Sequence, residues 1–336
     1  MSSLGDVIHT LPAISDAASL RDDIRFDWVV EEAFTAIPDQ HPAVDQVIPI
    51  GLRRWTRQLP WSGELRDASR FVRRLRDVRY DLIIDAQGLL KSAVVAGLAR
   101  GTVAGLDGQS AREPVSRRFY HETVSVPRSQ HAVTRVRQLF AGTLGYEVPI
   151  GEPNYGLDQR VPLEPTWPTR VMLLHGTTWE SKHWPRDCWR ELASSLGESD
   201  IEVVLTSGSA KEKERAEFVV RDLPNARLLP QMPLMDLMRE MALCHGVVSV
   251  DSGLGHLAVA MAKPVIGIYG ATNSTLTGMY GRQVITLATR HLPCAPCLRK
   301  DCQFLPLPNR NAIFPPCYEQ ITPERVASIL VGVLSR

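Results

Sequence analysis

Short apolar, β-branched runs alternate along the chain with stretches in which apolar residues return every three or four positions. That alternation marks βαβ units built around a parallel sheet. In the first half, strands are predicted at 26–30, 44–49 and 82–85, and helical spacing is carried by Phe71, Leu75 and Val78 and by Val133, Val136, Phe140 and Leu144. In the second half, strands are predicted at 171–175, 202–206, 246–250 and 265–269. A helix starting at Pro185 sets Trp189, Leu192 and Leu196 on one face, and further helices fit 211–221, 234–243, 254–262 and 323–334. The proline-rich stretch between Tyr146 and Thr169 has no such period and reads as a linker. The pattern therefore predicts two Rossmann-like halves.

At 336 residues with 44% apolar content, the chain can fill a core in each half. Lysines and arginines number 38 against 37 acids, a balance that gives no argument for a nucleic-acid partner. Charge is uneven locally, since nine arginines lie between Arg53 and Arg79 against Glu64, Asp67 and Asp77. No apolar run is long enough to span a bilayer and the start lacks the pattern of a signal peptide, so a cytoplasmic protein is expected. For such a chain, the six cysteines point to thiols or a metal rather than to a disulfide framework.

Four segments place polar residues directly after strand-like runs, where open α/β sheets bind ligands. In Ser2-Ser3-Leu4-Gly5-Asp6, spacing alone makes Asp6 a helix N-cap, while its chemistry also suits a base that deprotonates an attacking hydroxyl. His175-Gly176-Thr177-Thr178 with Lys182-His183-Trp184-Pro185 offers hydroxyls, backbone N–H groups and a cation to a diphosphate, or else a capped surface helix. The turn Asp251-Ser252-Gly253-Leu254-Gly255-His256 would hold sugar hydroxyls or fix its own loop, and His256 alone is more often structural. Gly270-Ala271-Thr272-Asn273 fits a plain turn or a nucleotide pocket equally well. Arg53, Arg54, Arg57 and Arg112 suit an acidic acceptor, whereas the arginines from 66 to 79 read as a solvated helical face. Cys294-Ala295-Pro296-Cys297 with Cys302 and Cys317 resembles a structural zinc knuckle of irregular spacing, with free thiols as the alternative. The Gly-x-Gly-x-x-Gly fingerprint of dinucleotide-binding folds is absent.

Together, SSLGDVIHTLPA, RFDWVVEEAF, VIPIGLRRW, YDLIIDAQGLLKSA, SAREP, LLHGTTWESKHWP, SVDSGLGHLAVA and YGATN resemble the lipopolysaccharide heptosyltransferases of glycosyltransferase family 9. The likeness is strongest to the branch that adds the first inner-core heptose in Gram-negative bacteria. It implies a GT-B fold, with an acceptor domain over 1–155 and a donor domain over 165–320 facing a central cleft, and a final helix over 321–336 crossing back to the first domain. It also implies an inverting, metal-independent transfer without a cofactor, from ADP-L-glycero-β-D-manno-heptose to Kdo2-lipid A at the cytoplasmic face of the inner membrane, where contact would be peripheral. Addition of the second heptose, or a GT-B sugar-nucleotide epimerase, is the alternative. By the same resemblance Asp6 is the base and Lys182 binds the diphosphate, beside Thr177 and Thr178. Glu212 holds the ribose, Asp251, Ser252, Gly253, Leu254 and His256 form the donor-sugar loop, and Ser3, Arg53, Arg54, Arg57 and Arg112 face the acceptor. Family members open with a short strand ahead of the Ser-Ser-Leu-Gly-Asp loop. Here Met1 stands where that loop begins, so the first strand of the first sheet is expected to be missing.

Overall fold

The computed structural model describes residues 3–57, 62–157, 168–289, 292–304 and 313–335. The chain divides into two units, residues 1–157 and 158–336. The first runs α1 (Leu4–Leu20), β1 (Phe26–Glu31), β2 (Val44–Ile50), α2 (Leu52–Arg57), α3 (Ser62–Asp77), β3 (Arg79–Asp85), α4 (Leu90–Leu98), β4 (Arg100–Leu106), β5 (Glu122–Val124) and α5 (Ala132–Leu144). Helix α1 is buried from Val7 to Ala17 and packs on α5, where the buried Arg137 guanidinium meets Asp16 at 2.6 and 3.2 Å.

All strand pairings in this unit are parallel, yet they form two sheets, β1-β2 and β3-β4-β5. Among the described residues no strand lies between β1 and β3. A cavity of about 670 Å³ takes that place, walled by β1 and β3 and by residues of α1, α3, α4 and α5, among them Ile14, Leu75, Val95 and Phe140. Near the amino ends of the strands a side chain bridges the sheets, where the Tyr80 hydroxyl donates to Asp27 at 3.0 Å. The described strands of the first unit thus form two separate sheets on either side of that cavity.

The second unit runs β6 (Arg170–Leu174), α6 (Arg186–Gly197), β7 (Glu202–Leu205), α7 (Ala210–Val220), β8 (Ala226–Leu228), α8 (Leu234–Ala242), β9 (Gly246–Val250), α9 (Gly253–Ala260), β10 (Val265–Tyr269), α10 (Ser274–Thr277), β11 (Val284–Ala288) and α11 (Pro323–Leu334). Its strands form one parallel sheet in the order β11-β10-β9-β6-β7-β8, so the direction of winding reverses between β6 and β9. Ligands of doubly wound sheets gather at the carboxyl ends of strands at such a reversal. Strands β9 and β10 are buried at every position, as expected for a sheet covered on both faces. Trp184 and Trp189, ring centroids 5.0 Å apart in a T-shaped pair, anchor a core that also takes in Val326, Ala327 and Leu330 of α11. Among the described residues no helix is long and apolar enough to cross a membrane.

Candidate active site

In the first unit the site forms around the start of α1. Ser3, not Asp6, is the N-cap: its Oγ accepts from the Asp6 N–H at 3.2 Å and donates to Asp6 Oδ2 at 2.6 Å. This leaves the Asp6 carboxylate one turn into the helix, where the macrodipole favours a negative charge. Two distant groups close on it. Gln87, in the turn after β3, donates through Nε2 to Oδ2 at 2.6 Å, and Arg112 donates through a terminal nitrogen to Oδ1 at 2.8 Å. Burial pushes the Asp6 pKa up, but the charge of Arg112 and the hydrogen bonds from Ser3, Gln87 and Arg112 outweigh it and hold the group below its ordinary value. Asp6 is therefore a carboxylate at neutral pH, able to accept a proton.

The remaining arginines of the expected acceptor set sit elsewhere. Arg54 is held by Glu32 at 3.3 Å, Glu64 at 3.0 Å and Asp67 at 3.2 Å, so its charge is already spent on three carboxylates. The Arg53 N–H donates to Glu31 Oε1 at 2.9 Å, while its guanidinium lies 5.3 Å from the centroid of the Phe34 ring. The Arg57 side chain lies outside the described residues. The structure therefore joins Arg112 and Ser3 to Asp6, and places Arg53 and Arg54 in the charged surroundings of α2.

In the second unit the polar residues collect at the carboxyl ends of β6 and β9. Lys182 Nζ lies 2.7 Å from Asp251 Oδ2 and 4.6 Å from the centroid of the Trp179 ring. Thr177 Oγ1 donates to the Asp251 carbonyl at 3.1 Å, tying the two strand ends together, and Thr178 beside it is exposed. Ser252 caps α9 by accepting from the Gly255 N–H at 3.2 Å, so the N–H groups of Gly253 and Leu254 stand in the first turn, ahead of intrahelical bonding. A Cβ on Gly255 would fall 2.5 Å from Ser249 Oγ, which explains the glycine in this turn. His256 Nε2 is 3.9 Å from Asp251 Oδ1, near but not bonded. Glu212 opens α7 and accepts from the Gly208 N–H at 2.7 Å. Its carboxylate approaches Gly176 so closely that a Cβ there would meet Cδ at 2.8 Å.

Two neighbours carried no local signal in the sequence. Arg215 reaches His183 Nδ1 at 2.6 Å, and burial followed by the charge of Arg215 keeps that imidazole below its ordinary pKa and neutral. Trp179 supplies the ring under Lys182, a contact that the Lys-His-Trp-Pro motif does not reveal. Asn273 caps α10 by accepting from the Thr275 N–H at 3.0 Å, the plain-turn reading of that segment. The four C-terminal cysteines line one cavity of about 20 Å³, with free thiols. Burial, and then the neighbouring thiols, push Cys317 up to about 12. Among the described residues no group of three or more His, Cys, Asp or Glu is placed to hold a metal ion.

The first unit holds an ionised carboxylate at a helix start, and the second, taken by itself, holds a lysine and helix N–H groups at a sheet reversal. The family model for glycosyltransferase family 9 (heptosyltransferase) matches residues 68–307. The chain belongs to that family. It is 47% identical to lipopolysaccharide heptosyltransferase 1 of Pseudomonas aeruginosa, a likeness covering 99% of this chain and 96% of the relative. The structure of E. coli heptosyltransferase WaaC with ADP matches with a TM-score of 0.85 and 36% identity, over 99% of this chain and 100% of that one. By contrast, lipopolysaccharide heptosyltransferase 2 of E. coli is 31% identical over only 29% of this chain and 29% of its own length. The two parallel-sheet units are the α/β architecture expected of a GT-B member of the family.

Proposed function

We propose that this family member transfers L-glycero-D-manno-heptose from ADP-heptose to Kdo2-lipid A, adding the first inner-core heptose of lipopolysaccharide. The observation that carries this reading is the 47% sequence identity to a type 1 enzyme over 99% of the chain, set against a sequence match to a type 2 enzyme over 29% of it. In this reading Asp6 takes the proton of the attacking acceptor hydroxyl as the hydroxyl oxygen bonds to the anomeric carbon. The bond from that carbon to the diphosphate breaks on the opposite face, and its electron pair leaves with ADP. The transition state resembles an oxocarbenium ion, so steadying the departing diphosphate matters as much as deprotonation. Lys182 and the first-turn N–H groups of α9 suit that task, and Glu212 suits the ribose hydroxyls as an acceptor. Asp251 suits the heptose hydroxyls. The lipid acceptor places the enzyme in peripheral contact with the cytoplasmic face of the inner membrane.

The test is transfer from ADP-heptose to Kdo2-lipid A, compared with an acceptor that already carries one heptose. The Asp6→Ala variant is expected to lose transfer by about 10²–10⁴-fold while still binding ADP. Turnover at the parental rate in that variant, or preference for the heptosylated acceptor, would refute the assignment.

A further inference from the structure

The surroundings of Asp6 hold more positive charge than one carboxylate requires. Arg112 donates to Asp6 itself. Arg135 of α5 lines the same small cavity as Asp6, His9, Gln87 and Arg112, and donates to the Ser110 carbonyl at 2.5 Å. Its Nε is buried without a hydrogen-bond partner. Arg128 donates to the Ala111 carbonyl, one residue from Arg112, and the charges of Arg112 and Arg128 both bear on Arg135. The other groups nearby do not balance this. Facing Asp6 from its own helix are Ser3 and His9, and from the turn after β3 Gln87. The carboxylates of Asp107 and Glu113 accept from the backbone N–H groups of Gln109 and Ser110 and of Leu90. Arg112 pairs with the Asp6 carboxylate while Arg128 and Arg135 donate to backbone carbonyls, and the cavity lined by Asp6, Arg112 and Arg135, about 30 Å³, has room for little more than a water. Arg112 is the more open partner of the ion pair, with 45% of its side chain exposed against 13% for Asp6.

We propose that Arg112, Arg128 and Arg135 form a receiving site for the carboxylate of a sugar-acid acceptor, and that this carboxylate draws Arg112 off Asp6, turning a neutralised carboxylate into the working base. The inference rests on the proposed transfer reaction and names what switches its base on. Arginine forks prefer bidentate carboxylate partners, and Arg112 holds Asp6 through one oxygen only. Once Arg112 moves, Asp6 loses the cation that holds its pKa down, while Ser3 and Gln87 keep the carboxylate aimed. The acceptor hydroxyl then loses its proton to Asp6 only when the acceptor's own charge is in place, which disfavours water as the acceptor. Arg128, Arg135 and Gln87 are in this scheme positioning residues.

The experiment compares acid and carboxamide forms of the acceptor sugar on the wild-type protein and on Arg112→Gln, across pH. With the wild type, the acid limb of kcat should lie at higher pH than that of kcat/KM, because the first reports the complex and the second the free enzyme. In Arg112→Gln the two limbs should coincide, the kcat/KM limb having moved up. The carboxamide should cost about 10-fold or more in kcat/KM on the wild type and much less on the variant. Equal rates for the acid and carboxamide, or coincident limbs in the wild type, would overturn the inference. Absence of transfer to any sugar-acid acceptor would instead overturn the proposed function. In that event the Asp6 carboxyl, followed by ¹³C NMR, should still titrate at higher pH in Arg112→Gln, and an unchanged titration would overturn the local claim as well.

Discussion

Replacing Lys182 by methionine separates the two roles its charge plays. In the free protein Nζ sits 2.7 Å from Asp251 Oδ2, with side chains 17% and 10% exposed. Removing one partner of a fully buried pair costs about 3–5 kcal/mol, because the other charge stays buried and uncompensated. The residual exposure, and His256 at 3.9 Å, reduce that to roughly 2–3 kcal/mol. For a unit of this size each kcal/mol moves Tm by about 2–4 °C, so Lys182→Met should lower the transition of the second unit by roughly 5–10 °C. A charge-assisted hydrogen bond to a diphosphate is worth about 1.5–3 kcal/mol, so the same change should weaken ADP binding by about 10–150-fold. The partner variant distinguishes the effects. Since Asp251 competes with a diphosphate for the ammonium, Asp251→Asn should tighten ADP binding a few-fold while impairing heptose transfer. The double variant should regain most of the lost Tm and none of the lost affinity. Calorimetric titration with ADP and differential scanning calorimetry read both quantities. Unchanged ADP affinity in Lys182→Met, or weakened affinity in Asp251→Asn, would refute the reasoning.

In the core of the first unit, Arg137→Ala should cost about 3–5 kcal/mol by stranding Asp16, whereas Asp16→Leu with Arg137→Met should recover most of it; equal urea midpoints for the single and double variants would count against this. Burial depresses His41 and His175, one in each unit, from 6.5 to about 4. A histidine with a lowered folded pKa lends its stability in full above the unfolded pKa and loses it as pH falls towards the folded one. Both units should therefore weaken between about pH 6.5 and 4, by up to about 3 kcal/mol per histidine, as followed by urea unfolding at each pH. The slot between β1 and β3 should accept one more parallel strand. A chain carrying about six apolar, β-branched residues ahead of residue 1 is expected to melt higher than one whose added segment contains prolines, and identical melting curves would remove the idea.

The strands predicted from apolar runs appear with shifts of a few residues at their ends, because β-branched residues buried on both faces carry their own signal. Those at 246–250 and 265–269 coincide with β9 and β10. Four strands had no such signal. β4 opens Arg-Gly and holds a second glycine at 105, β5 and β8 are three residues long, and β11 is only partly buried, so each owes its place to neighbours already in the sheet. Helix α11 was legible to its end residues, since Thr322 caps it and Pro323 opens it.

The site was legible in its residue types but not in its pairings. Local spacing makes Asp6 a helix cap, and the fold gives that task to Ser3 three residues earlier, which frees the carboxylate. What then determines its charge comes from 81 and 106 residues away, in Gln87 and Arg112. The same logic separates Arg54 from Arg112. Both are arginines in basic or polar segments, yet one is enclosed by three acids and the other pairs with a single acid while its charge bears on a neighbouring arginine. An arginine whose charge is already neutralised several times over gains little from an anionic ligand, whereas one held by a single carboxylate beside other arginines gains more. The count of acids around each arginine, a property of the fold rather than of the motif, therefore points to Arg112 as the residue through which an acidic acceptor acts on Asp6.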